Sequence, residues 1–170
     1  MNYLVTDNTS GALRLEEIPE IAYADFYELM RGWLADERYH VAHYFAQPSG
    51  DRMRFYCLVL DDAEGRVLVT SHATGYYDDT ELPSLTALHP QMHPFEREIA
   101  ERCGIRFEGQ PWPKPLRFPF DRYDRRSSID NYPFYTMAGG SLHEVNVGPI
   151  HAGIIEPGAF RFICNGEQVL

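Results

Sequence analysis

The residues with the most chemical potential fall in three places. His89 and His93 stand four apart, just before Glu96 and Glu98. On one helix face that spacing could hold a transition metal through two imidazoles and a carboxylate. Pro90 and Pro94 work against this, because proline breaks the helix that would align both rings, and the order HExxH is missing. A loop followed by a helix cap uses the same residues. Next, Glu96, Glu98 and Glu101 beside Arg97 and Arg102 have the types needed for acid–base work. A solvated helix face or an ion-pair network needs them too. The third place is the loop Gly148-Pro149-Ile150-His151-Ala152-Gly153-Ile154-Ile155-Glu156-Pro157-Gly158, which brings His151 and Glu156 into one short segment. Ser71-His72 has no GxSxG elbow, and neither GxGxxG nor a Walker loop is present, so triad and nucleotide chemistry have no support.

Cys57, Cys103 and Cys164 are far apart and form no CxxC. They suit neither a disulfide framework nor a zinc, iron–sulfur or nickel site, and they fit free thiols in a reducing cytoplasm. The sequon at Asn8 carries no weight beside a first segment that lacks a basic and an apolar leader region. No stretch reaches the roughly 18 apolar residues of a membrane span.

The formal net charge of −10 argues against nucleic acid as a partner. The charge is uneven. Residues 97–126 hold eight Lys+Arg against five Asp+Glu, and Lys114 is the chain's one lysine. Arginine in such a cluster suits forked contacts to carboxylates at an interface.

The elements that must position these residues follow from periodicity. Phe26, Met30, Trp33 and Leu34 predict an amphipathic helix over 22–35, with Tyr23 and Tyr27 beside its apolar stripe. Strands are expected over 38–46, 52–60 and 66–73, joined by turns at 47–51 and 61–65 into an antiparallel meander. Met53, Phe55, Cys57 and Val59 share one face of the second strand. Residues 74–91 read as polar and irregular. A second helix is expected over 94–103, with Pro94 at its start, Gly104 as its stop, and Phe95, Ile99 and Cys103 on one face. Residues 110–126, with four prolines among arginines, must be extended or looped. Beyond a joint at 138–141, strands are expected over 142–147, 159–164 and 167–170, the last two joined by a type I′ turn at Asn165-Gly166. A hairpin that stops so near the last residue reads as interrupted.

Two motif series resemble known families. Leu82-Pro83-Ser84-Leu85, then Phe95-Glu96-Arg97-Glu98, Glu101, Gly104-Ile105, Phe107, Gly109 and Pro115-Leu116-Arg117, is similar to the signature of the 30 kDa subunit family of respiratory complex I, the NADH:quinone oxidoreductase. The loop around His151, from His143 to Arg161-Phe162, resembles the opening of the large subunit of nickel-iron hydrogenases of the formate-hydrogenlyase type. There a domain of the 30 kDa type is fused ahead of the large-subunit domain. Ala159 stands where that pattern usually has a histidine.

The resemblance implies an α+β fold: a two-layer domain with a mixed β-sheet (helix, antiparallel meander, helix, further strands) and a C-terminal β-hairpin extension. It divides the chain into a 30 kDa-type domain over 1–126, a linker over 127–141 and the start of a large-subunit-like domain over 142–170. It further implies a non-catalytic docking component of a complex peripheral to the cytoplasmic face of the cell membrane, touching the membrane through partners alone. Those partners would be hydrogenase or dehydrogenase large and small subunits. They would carry iron–sulfur clusters and, in the hydrogenase case, nickel-iron, with no cofactor held by this chain. Phe95, Glu96, Arg97, Glu98, Lys114, Arg117 and Arg122 are the expected interface residues, on an extended arm over 106–126 and the helix before it. An alternative gives His151, which matches the histidine of a quinone-pocket loop in the respiratory relatives, and Glu156 a part in a quinone- or hydrogen-active site. A third reading is an independent metal protein using His89 and His93.

Overall fold

In the computed structural model, which describes residues 2–7, 9–75 and 81–170, the chain forms two compact units that divide between Ile129 and Asp130. Asn8 of the sequon and residues 76–80 of the expected irregular stretch lie outside the described residues.

The first unit contains β1 (Leu4–Thr6), β2 (Glu20–Ile21), α1 (Tyr23–Trp33), β3 (Tyr39–Ser49), β4 (Arg52–Asp61), β5 (Arg66–Gly75), β6 (Glu81–Pro83), α2 (His93–Cys103) and β7 (Arg106–Glu108). The expected meander is present as β3, β4 and β5, all antiparallel. β1 adds to β5 antiparallel and β2 adds to it in parallel, which makes the sheet mixed in the order β1-β5-β4-β3. Met53, Phe55, Cys57 and Val59 of β4 pack with Phe26 and Met30 of α1 and Ile99 of α2 in one buried cluster. Both helices therefore cover the same face, giving two layers. On the other face Tyr56 and Val69 pack against Ile18 in a smaller cluster.

His72 of β5 lies inside the large core. Its ring stacks on Phe55 at 4.3 Å between centroids, with Phe26 at 4.6 Å and Tyr23 at 4.9 Å. Burial holds its pKa down at about 3, so the imidazole is neutral. Nε2 lies 2.8 Å from the Tyr44 hydroxyl, whose own pKa burial raises. The neutral hydroxyl and the neutral ring share one hydrogen bond.

Three details differ from the sequence expectation. β3 runs on through Pro48, which narrows the first turn. Proline is tolerated there because β3 is the sheet's edge strand. The edge is interrupted by an irregularity between Val41 and His43. The Val41 N–H donates to Gln91 Oε1 at 2.8 Å, and the Cys103 thiol approaches the Ala46 carbonyl at 3.9 Å. The segment expected to be irregular contains β6, paired in parallel with β7, and a 3-10 turn over Pro90–Met92 that leads into α2. Such three-residue strands carry no period for a sequence to show.

The second unit holds β8 (Leu142–Val147), β9 (Phe160–Asn165) and β10 (Gln168–Val169) in a three-stranded antiparallel sheet. The last turn sits one residue later than expected. Gln168 pairs with Asn165, so Gly166 and Glu167 are the loop residues, and Gly166 alone needs the positive φ, 58°. That is the glycine-first pattern of a II′ turn rather than a I′ turn.

Candidate functional site

α2 starts at His93 with Pro94 in its first turn and stops at Gly104, whose φ of 75° is left-handed. A side chain at Gly104 would also meet the Tyr123 ring at 2.7 Å, so close packing demands glycine there as well. Three of the helix's charged residues point inward. Glu96 is 1% exposed. It accepts from Ser84 Oγ (2.6 Å), the Leu85 N–H (2.7 Å), Thr86 Oγ1 (2.6 Å) and Gln110 Nε2 (2.8 Å). Burial pushes its pKa up, against the pull of these donors. One turn and a half later, Glu101 accepts from three successive backbone N–H groups, those of Leu116 (3.1 Å), Arg117 (3.0 Å) and Phe118 (2.7 Å). Between them Arg97 donates to the carbonyls of Lys114 and Pro115, both at 2.8 Å, and lies 4.4 Å from the Trp112 ring centre.

The helix thus grips the segment 84–86 with one carboxylate and the arm 114–118 with the next carboxylate and an arginine. Arg102 pairs with Asp121 and Arg117 pairs with Glu98, fixing the arm's far half. Phe118 is held at a φ of 48°, a strained value for a bulky residue. The tip is left in the open: Phe120 is 100% and Tyr123 72% exposed.

In the second unit the loop between β8 and β9 is tied to itself. Gly158 N–H donates to the Pro149 carbonyl at 3.2 Å, and His151 Nε2–H donates to the Gly158 carbonyl at 2.7 Å. Nδ1 is then the accepting nitrogen of the ring. A side chain at Gly148 would lie 2.2 Å from the Gly158 oxygen, so only glycine allows the loop to close. Ile150, Ile154, Ile155 and Phe160 are exposed on this unit, as is Glu156.

Residues 18–127, which run from the strand pairs of β2 through the gripped arm, match the model of the respiratory-chain NADH dehydrogenase 30 kDa subunit family. The chain belongs to that family. It is also 28% identical over 93% of its length to hydrogenase-4 component G of Escherichia coli K12. Against formate hydrogenlyase subunit 5 of the same organism it is 25% identical over 96% of its length. It spans 31% of each of these relatives, so about a third of their length. The family match ends before the second unit begins, whereas both relatives align across most of it.

Within this 30 kDa-family unit the expected interface residues part company. Lys114 and Arg117 are exposed, Phe95 and Glu98 are half-buried, and Glu96 and Arg97 are buried. Arg122 turns inward, its side chain 11% exposed and its Nη1 3.6 Å from Glu101. The arm's backbone at 116–118, expected to stay available to a partner strand, is already taken by Glu101. Glu101 was legible as a charged helix residue, but the segment it grips is fifteen or more residues away and left no local signal. His89 and His93 are brought to no metal site: among the described residues no three His, Cys, Asp or Glu side chains converge to hold an ion. His93 Nδ1 instead accepts from Arg97 at 3.2 Å.

The thiols do not fit an iron–sulfur or nickel-iron centre held by four thiolates. Cys57 is sealed in the core 3.9 Å from the Met30 sulfur, Cys103 lines α2, and Cys164 belongs to the second unit. Burial raises the pKa of Cys57 and Cys103, so both stay protonated and ligate poorly. Among the described residues no helix is long and apolar enough to cross a membrane.

Proposed function

We propose that this chain is a non-catalytic docking component of a membrane-associated NADH dehydrogenase-like or hydrogenase complex. Electron transfer would run through iron–sulfur and nickel-iron centres held by large and small partner subunits, and membrane contact would come through those partners. In this reading the second unit is the start of a large-subunit-like domain. The observation that carries the proposal is the arm. α2 commits Arg97 and Glu101 to fixing it, yet its tip presents Phe120 and Tyr123 to solvent beside exposed Arg117. An exposed aromatic flanked by arginine has the residue types that anchor interfaces.

Phe120→Asp combined with Arg117→Glu tests this by co-purification with the small iron–sulfur subunit. Capture should fall roughly 30-fold or more, the loss expected for an anchor worth about 2 kcal/mol. Undiminished capture removes the arm from the account.

The alternative, a part for His151 and Glu156 in a quinone- or hydrogen-active site, draws on the ring of His151, which its hydrogen bond to the Gly158 carbonyl holds in place. His151→Gln in the assembled complex decides it. Lost activity with intact assembly moves the function to the loop; unchanged activity dismisses it.

A further inference from the structure

The second unit's sheet ends on one side at β8, and that edge is undefended. In the first unit the edge strand β3 is broken by an irregularity, bonded by Gln91 and checked near its end by Pro48. β8 has none of these devices: its six residues pair with β9 in unbroken register and include no proline. The direction of its backbone groups follows from β9. The Leu170 N–H donates to the Ile163 carbonyl at 2.9 Å, so Ile163 faces β10, and its neighbours Phe162 and Cys164 face β8. Their partners Val145 and His143 therefore turn their backbone groups inward, while Leu142, Glu144 and Asn146 turn theirs outward. The Leu142 N–H is taken by the Gly139 carbonyl at 3.1 Å. Among the described residues, no group bonds the outward backbone of Glu144 or Asn146.

We propose that two copies of this chain join β8 to β8, antiparallel, about a two-fold axis at Val145. The strand itself selects this occupant and this register. Residues directly opposite in an antiparallel pair share a face, so a self-pairing that keeps the faces matched must centre on one residue. Centring on Glu144 sets two carboxylates against each other. Centring on His143 relies on Leu142, whose N–H is taken, and centring on Asn146 runs Glu144 past the strand's end. Centring on Val145 sets Glu144 opposite Asn146 of the second copy, a pair that exchanges both backbone hydrogen bonds, and the symmetry makes a second such pair. The exposed apolar face then runs unbroken across the join, from Phe162 through Val145 to the same two residues of the second copy. Aromatic and β-branched neighbours of this kind stabilise sheets. The Glu144 carboxylate does not oppose the join, since Arg161 of its own sheet pairs with it at 2.8 Å. The pair is closed, because each copy uses the same edge once. This goes beyond the docking role, since Phe120 and the arm take no part.

The test is sedimentation equilibrium of the whole chain, whose monomer mass is 19.6 kDa. A reversible monomer–dimer equilibrium is expected, half complete at roughly 10–100 µM, the strength of a small interface. Hydrogen exchange should protect the Glu144 and Asn146 amides in concentrated solution and release them on dilution. Asn146→Pro removes an outward N–H from each copy and spares the bonds between β8 and β9; it should weaken dimerisation about 30-fold. If that variant does not fold, Val145→Lys replaces it, setting two like charges opposite each other, and should weaken dimerisation at least tenfold. Phe160→Ser, on the apolar face but away from the axis, should change it less than about threefold. A monomer throughout, up to roughly 200 µM, overturns the proposal. So does a dimer that survives whichever edge variant folds, or one that Phe160→Ser dissolves, since the copies would then pack face to face.

Discussion

The two units treat their difficult residues in opposite ways. In the first, carboxylates are buried and then satisfied: Glu96 by four donors and Glu101 by three backbone N–H groups. In the second, apolar side chains are left out: Ile150 is 75% and Ile154 83% exposed. The first arrangement closes within the chain, because Glu96 and Glu101 find their partners on the same unit. The second leaves apolar area that only another surface could remove from water. The first unit's polar residues should therefore govern stability, and the second unit's apolar residues should hardly affect it.

The strongest way to break this contrast is Glu96→Ala. It strands two hydroxyls and the Leu85 N–H in the interior, while Gln110 Nε2 keeps Thr86 Oγ1 at 2.9 Å, and should cost about 3 kcal/mol or more in urea unfolding. Glu96→Gln, which keeps an acceptor for Leu85, should recover most of that. Because burial raises the folded-state pKa of Glu96, its contribution is full below the ordinary carboxylate value and declines as pH rises through the raised one. The glutamine variant should lack that decline. A loss no larger for alanine than for glutamine would mean that the grip on 84–86 is not what holds the unit together.

The next effect is smaller and depends on pH. The folded-state pKa of His72 is depressed from 6.5 to about 3. Its stability contribution is full above about pH 6.5 and is lost as pH falls towards 3, at up to about 1.4 kcal/mol per pH unit. At pH 5 that is about 2 kcal/mol below the neutral value. His72→Gln, which still offers Tyr44 an acceptor, should flatten this limb of the unfolding profile. An unchanged slope would assign the acid sensitivity to other groups.

The smallest effect sharpens the other side of the comparison. Ile154→Ser with Ile150→Ser should shift stability by less than about 0.5 kcal/mol. A loss above about 2 kcal/mol by calorimetry would show that the second unit closes on its own, as the first does.

What was legible in the sequence follows from range. α1, α2 and the meander could be read because Phe26 and Met30 recur at helical spacing and Met53, Phe55, Cys57 and Val59 alternate. β1 and β2 could not, since three and two residues show no period, and their place on β5 is set by partners some fifty or more residues away. The site divides in the same way. The FERE helix start announced charge, and charge normally means a solvated face. That Glu96 and Glu101 face inward depends on Ser84, Thr86, Gln110 and the backbone of 116–118, which only the fold gathers. The hydrogen bond of His151 to Gly158 was equally hidden, although the glycines at both ends of the loop hinted at a close approach.

The edge strand has a further consequence. An eleven-residue strand open along one side is a template on which other copies could pair, the starting point of fibrous aggregation. On β3 the irregularity at Val41–His43 breaks the repeat, Gln91 occupies the Val41 N–H, and Pro48 withholds a donor near the end. A second copy's strand would find a short, interrupted ladder. The domain is thereby equipped to persist at high local concentration without polymerising.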